Sequence, residues 1–234
     1  MKHCPSEPAE PGGARCLTCR IREMSLFADL EPRDLDLIHL PIAEVQYAAG
    51  DVIYSAGDDG AAIYTVRSGL VKLVRYLPDG TQRIVRLLRR GEAAGLEVVV
   101  GQPYGHTAIA LYPAELCRIP RPVIERLSRE TPRLHDQLMR RWHAAVAEAD
   151  GRLTELSTGK AQKRLARLFL QLVQADGTAM LFSREDIGAM LGISREHACR
   201  AMADLKRHRV IFELSANHFR CDLARLAVIG SREG

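Results

Sequence analysis

The 234 residues carry 33 Lys and Arg against 29 Asp and Glu, a formal net charge of +4, with 47% hydrophobic and 26% charged side chains. That is enough chain for two modest domains, and no apolar run approaches the length of a membrane-spanning helix, so a soluble protein is expected. The charge is uneven: residues 151–234 hold 14 Lys and Arg against 9 Asp and Glu, leaving residues 1–150 at about −1, so an anionic partner is expected at the C-terminal end.

Residues 1–15 contain Pro5, Pro8, Pro11, Gly12 and Gly13, a composition that does not fold alone. The first twenty residues are polar and lack the apolar stretch of a secretory signal, so a cytoplasmic location is expected, with the six cysteines serving as thiols or ligands. Cys16-Leu17-Thr18-Cys19 follows, a spacing that places two thiolates on one metal centre. A short helix is expected next. From Val45 to Pro120 the pattern is β: branched and aromatic residues alternate in VIY and AIYTVRSGLVKLVRY, Asp79-Gly80 marks a hairpin, and Gly69, Gly80 and Gly91 recur every eleven residues. This predicts a small antiparallel barrel or jelly roll. From Pro122 glycine is absent for almost thirty residues, and Leu138, Trp142, Ala145, Ala149, Leu153 and Leu156 step by three or four. They predict a long helix whose seam either meets a symmetric partner or packs on its own barrel. After Thr158-Gly159, GKAQKRLARLFLQLV predicts another helix.

The stretch 181–209, LFSREDIGAMLGISREHACRAMADLKRHR, reads as a helix-turn-helix. Ser183 with Asp186 opens the first helix, Gly192 suits the tight turn, and Ser194 caps the second. On that second helix Ala198, Ala201, Met202 and Leu205 share one face, while Arg195, Glu196, Cys199 and Arg200 share the other. The second face is the one expected in a DNA groove, rather than being only a solvated, salt-bridged surface. Arginine matches the O6 and N7 of guanine, and glutamate accepts from the N4 amine of cytosine. Val210 to Leu214 and Phe219 to Leu223 predict a two-stranded wing around Ser215-Ala216-Asn217, and Lys206, Arg207, Arg209 and Arg220 are candidate phosphate contacts.

Arg195, Glu196 and Arg200 at this spacing resemble the recognition helix of the CRP/FNR family of bacterial transcription regulators, and the likeness extends over most of the chain. The resemblance implies an α+β protein: residues 1–24 a cysteine-containing arm, 25–121 a cyclic-nucleotide-binding-like β-roll, 122–157 a dimerisation helix, and 158–234 a winged helix-turn-helix. It further implies no enzymatic activity, a homodimer on double-stranded DNA with a palindromic TGTGA-like site, and contact with RNA polymerase. Cyclic-nucleotide binders of the family carry Gly-Glu and a later Arg-Ser that holds the cyclic phosphate. Here Gly91-Glu92 is present but the later stretch reads Gly105-His106-Thr107-Ala108. A buried phosphate without a cationic partner is poorly compensated, so cyclic nucleotide binding is not expected.

Cys16, Cys19 and Cys117, the last in AELCRIP, resemble ligands of the FNR-type oxygen and redox sensors, which hold a 4Fe-4S cluster. The family's remaining N-terminal cysteine falls on Ser25, and Cys4 is the available substitute, giving Cys4, Cys16, Cys19 and Cys117 as the expected cluster ligands. Zinc on the same thiolates, a thiol-disulfide switch, or no site at all remain alternatives. Heme on His3 or His106, a thiol oxidoreductase built on Cys16 and Cys19, and a constitutive DNA-binding protein holding zinc are further ones. Cys199 and Cys221 carry no partner motif and are read as small packing residues rather than metal ligands.

Overall fold

The computed structural model describes residues 16–231. Cys4 and His3 lie outside the described residues. Contacts divide the chain into two compact units, one holding the chain up to Arg75 with Val85–Val146, the other Tyr76–Ile84 with Ala147 onward.

The first unit begins with a turn around Cys16–Cys19, a 3-10 turn at Arg22–Met24 and a one-turn helix α1 (Pro32–Leu35) opened by Glu31, with proline at its first position. Eight strands follow: β1 (Ala43–Tyr47), β2 (Val52–Tyr54), β3 (Ala62–Ser68), β4 (Val71–Tyr76), β5 (Gln82–Leu88), β6 (Ala93–Ala94), β7 (Thr107–Ala110) and β8 (Ala114–Pro120). They form two four-stranded sheets, ordered β1-β8-β3-β6 and β2-β7-β4-β5, with every registered pair antiparallel. Gly69 has φ +84, and a Cβ there would stand 2.2 Å from the Pro113 carbonyl oxygen. Only glycine fits that turn. Inside the roll Tyr54 stacks on Tyr104 at 3.8 Å and lies 5.7 Å from Tyr64, all three within the buried core. The Tyr104 hydroxyl donates to the Ala62 carbonyl at 2.6 Å and accepts from the Ala62 amide at 3.1 Å, so this polar group is buried without loss.

Helix α2 (Arg121–Glu130) and the 24-residue α3 (Pro132–Glu155) follow the roll. The sequence predicts one long helix here; the structure breaks it at Thr131, which is extended at φ −135 and ψ 118. Pro132 is the cause, because its ring disfavours helical geometry in the residue before it.

The second unit contains α4 (Ala161–Leu172), β9 (Thr178–Met180), α5 (Arg184–Leu191), α6 (Arg195–Arg207), β10 (Ile211–Ser215), β11 (His218–Cys221) and α7 (Leu223–Ser231). The expected two-stranded wing gains β9 as a third strand, in the order β10-β11-β9. Phe169 and Phe219, both fully buried, meet edge-to-face at 5.7 Å and join α4 to that sheet. Among the described residues no helix is long and apolar enough to cross a membrane.

Candidate nucleic-acid interface and thiol site

Local chemistry builds the helix-turn-helix. The Ser183 hydroxyl accepts the Asp186 amide at 3.0 Å and donates to its carboxylate at 2.8 Å, opening α5. Gly192 ends it in the left-handed region at φ +67, and Ser194 opens α6 by accepting the His197 amide at 3.3 Å. Gly188, inside α5, carries no motif of its own. A Cβ there would stand 2.7 Å from the Ile193 carbonyl oxygen, so the close approach of α5 to the turn requires glycine. Its only sequence signal is a lone glycine inside a helical pattern.

On α6, Ala198, Ala201, Met202 and Leu205 are buried and Arg195, Glu196, Cys199 and Arg200 are exposed, dividing the helix along the two predicted faces. A hydrogen bond from Ser194 holds the Glu196 carboxyl below the ordinary carboxylate range, so Glu196 is an ionised acceptor at neutral pH. Of the candidate phosphate contacts, Lys206 pairs with Glu213 on β10, and Arg207 pairs with Asp204 at 2.5 Å. Arg209, at φ +53, and Arg220 are exposed.

Long-range packing builds the thiol site. Cys16 and Cys19 from the first turn and Cys117 from β8 line one cavity of about 30 Å³ with Ile21, Ser25 and Thr65 among its other walls. Nη1 of Arg67 on β3 donates to Cys117 Sγ at 3.5 Å and to Cys19 Sγ at 3.6 Å. Burial, then the neighbouring Cys117 and Cys19 sulfurs, pushes the Cys16 thiol up to about 12. Burial likewise raises Cys117, opposed by Arg67. Ser25 is buried, and its hydroxyl is used locally, donating to the Arg22 carbonyl at 2.9 Å and accepting from the Phe27 amide at 3.2 Å. Among the described residues no three His, Cys, Asp or Glu side chains stand in closed metal-binding geometry. By donor type alone the lining suits an iron-sulfur centre: three cysteine sulfurs on one cavity, a guanidinium that reaches two of them, and a buried Thr65 hydroxyl without a partner among the described residues. His106 is half-buried, and burial lowers its pKa. Next to it the Thr107 hydroxyl accepts from the Ala56 amide at 3.0 Å.

The predicted seam splits. Leu138 and Leu156 are 3% and 2% exposed, Leu138 lying within the roll's own core. Trp142, Ala149 and Leu153 are exposed and Ala145 is half-buried. Met139 and Val146, absent from the predicted set, are 54% and 55% exposed. Met139, Trp142, Val146, Ala149 and Leu153 alternate steps of three and four along α3, the spacing of a coiled-coil stripe. The start of α3 is tied to the segment after the thiols: Arg141 donates to the carbonyls of Met24, Ser25 (3.0 Å) and Gly91 (3.3 Å), Arg133 pairs with Asp34 at 3.2 Å, and Arg140 pairs with Asp29 at 2.8 Å.

Residues 44–131 match the cyclic nucleotide-binding domain family, and residues 163–229 match the Crp-like helix-turn-helix domain family. The chain belongs to the CRP/FNR family of transcription regulators. It is 24% identical over 205 residues to the fumarate and nitrate reduction regulatory protein of Vibrio cholerae, covering 84% of this chain and 82% of that one. It is also 24% identical over 231 residues to the nitrogen fixation regulation protein FixK of Bradyrhizobium diazoefficiens, covering 95% and 96%. The solved structure of FixK2 from Bradyrhizobium japonicum has the same fold, with a TM-score of 0.75 at 22% identity over 83% of this chain and all of that one. CRP/FNR members are DNA-binding regulators rather than enzymes, and the thiol oxidoreductase alternative falls with that assignment.

Proposed function

We propose that this CRP/FNR regulator is a cytoplasmic homodimer that reads oxygen, redox state or nitric oxide through an iron-sulfur cluster and transmits the reading to a palindromic, TGTGA-like DNA site. The observation that carries the proposal is the convergence of Cys16, Cys19 and Cys117 on one cavity with Arg67 donating to two of the sulfurs. Cys4 is the proposed fourth ligand. The regulators named for fumarate and nitrate reduction and for anaerobic regulation among the similar proteins support a redox role. A thiol-disulfide switch fits less well, because reactive cysteines carry lowered pKa values in exposed, electropositive settings, whereas burial raises Cys16 and Cys117.

A bound 4Fe-4S cluster would supply an oxygen-labile centre that keeps its thiolate ligands deprotonated. The chain's own residues carry the rest. Cys16 and Cys19 are short of Met24 and Ser25 by a few residues, and the carbonyls of those two are held by Arg141 on α3. Any rearrangement of the thiol turn therefore acts on α3, whose stripe of Met139, Trp142, Val146, Ala149 and Leu153 is the proposed dimer seam. Two-fold symmetry then places two copies of α6 on two half-sites, with Arg195, Glu196, Cys199 and Arg200 toward the bases and Lys206, Arg207, Arg209 and Arg220 toward phosphates. RNA polymerase is the proposed partner on DNA. By the family resemblance, Gly105-His106-Thr107-Ala108 stands in place of the Arg-Ser that holds a cyclic phosphate, so the roll is proposed to work without a cyclic nucleotide.

Anaerobically purified protein should be brown, contain iron and acid-labile sulfide, and bleach in air. Colourless anaerobic protein with stoichiometric zinc would overturn the proposal.

A further inference from the structure

The cysteine motif does not reveal what faces the thiols from the sheet. Thr65 on β3 lies directly across the ladder from Cys117 on β8. It is 1% exposed, lines the same cavity as the three cysteines, and its hydroxyl has no hydrogen-bond partner among the described residues. A hydroxyl buried without a partner is costly, and one facing a sulfur-lined cavity marks an acceptor that belongs there. Two residues along β3 stands Arg67, where the β3–β8 register shifts between Val66 and Ser68. A bulge of this kind re-aims a side chain, and the guanidinium reaches both sulfurs as well as Glu44 at 2.9 Å and Glu115 at 3.6 Å. Carboxylates on two neighbouring strands thereby fix the cation against the thiols. Arg22 also lines the cavity, with one guanidinium nitrogen committed to the Leu30 carbonyl, and the Ser25 hydroxyl is spent on its own turn.

We propose that Thr65 and Arg67 form the donor wall of the cluster site: Arg67 offsets the negative charge that ligating thiolates bring into the cavity, and both side chains hydrogen-bond the sulfurs of the bound centre. This rests on the iron-sulfur reading above. Both are positioning residues, since they hold the sulfurs rather than the metal. Groups that hydrogen-bond a metal's ligands alter affinity by roughly 10–100-fold when removed, and a cationic N–H to a thiolate is the stronger of the two donors.

The test uses full-length protein purified without oxygen, as wild type and as Arg67→Gln, Arg67→Lys and Thr65→Val. Each is assayed for iron and sulfide per chain, for the rate at which the visible band decays in excess iron chelator under argon, and for the midpoint potential by dye titration. Arg67→Gln should lose the cluster about 10–100-fold faster, with a more negative potential because a positive charge beside the centre is gone. Arg67→Lys should recover part of both. Thr65→Val, close to isosteric, should decay several-fold faster with the fold intact by circular dichroism. A loaded wild type whose variants match it in decay rate and potential overturns the donor wall and leaves the iron-sulfur reading standing. A wild type without iron or sulfide overturns both.

Discussion

The helix-turn-helix and the thiol site are assembled in opposite ways. In the first, both helix starts are capped within three residues, Ser183 with Asp186 and Ser194 with His197. In the second, Arg67 reaches sulfurs 48 and 50 residues away along the chain. Short loops close at little entropic cost and need only the right residues in the right order, whereas the thiol site exists only once the roll has formed. The DNA-reading element is therefore robust to changes in the roll's interior, and the sensing element is not.

The largest expected effect tests that dependence. Cys16→Ser, Cys19→Ser and Cys117→Ser should each abolish iron and sulfide binding while α6 keeps its fold, measured by metal analysis and circular dichroism. Cys4→Ser should do the same, and a Cys4→Ser protein with a normal cluster would identify Cys4 as a bystander.

Next comes the helix α3, where Leu134 and Leu138 face the core while Met139, Trp142 and Val146 face outward. Val146→Glu should place two like charges at the proposed symmetry axis and shift the protein to monomer in sedimentation, with most operator affinity lost. Ala145→Glu, half-buried, should do so less completely. Leu138→Ala should instead lower the unfolding free energy by about 2–5 kcal/mol, because it opens a cavity in the roll. A Leu138→Ala protein that turns monomeric at unchanged stability would put Leu138 back on the seam.

Smaller changes are expected on α6. Removing Arg195 or Arg200 should cost about 1–3 kcal/mol at the specific site, and Glu196→Ala should relax one position of the motif selected from random DNA. Lys206→Ala or Arg207→Ala should weaken all sequences alike and flatten the salt dependence. Wild type that selects no palindrome, or a Glu196→Ala protein that selects an identical motif, would reject the assignment.

The last effect appears only at alkaline pH, as a pH dependence of the metal-free protein. The Cys16 thiol is raised from 9.0 to about 12 by burial, so the folded state holds its proton more tightly than the unfolded chain. Its contribution is full below about pH 9 and is lost as pH rises toward 12. Between those limits wild type should lose more stability in urea unfolding than Cys16→Ala. Parallel loss in the two would show that Cys16 does not couple to folding.

Which features the sequence exposed follows the same division. Ser183, Gly192 and Ser194 declared the helix-turn-helix because capping and turn geometry are set by immediate neighbours, and the alternation of AIYTVRSGLVKLVRY declared strands because a pleat repeats every two residues. Cys16 and Cys19 were visible by their spacing, whereas Cys117 entered only through the resemblance to the FNR-type sensors. The sequence did not show that Thr131-Pro132 divides the helix after the roll, although the restriction proline places on its predecessor was there to be read. Nor did periodicity separate Leu138, in the core, from Met139 and Val146, in the stripe. Adjacent apolar residues on a helix lie about 100° apart, and only the position of the roll decides which side is already covered. Thr65 and Arg67 carried no motif at all, because their role comes from strand register and one bulge, and register is fixed by pairing between distant segments.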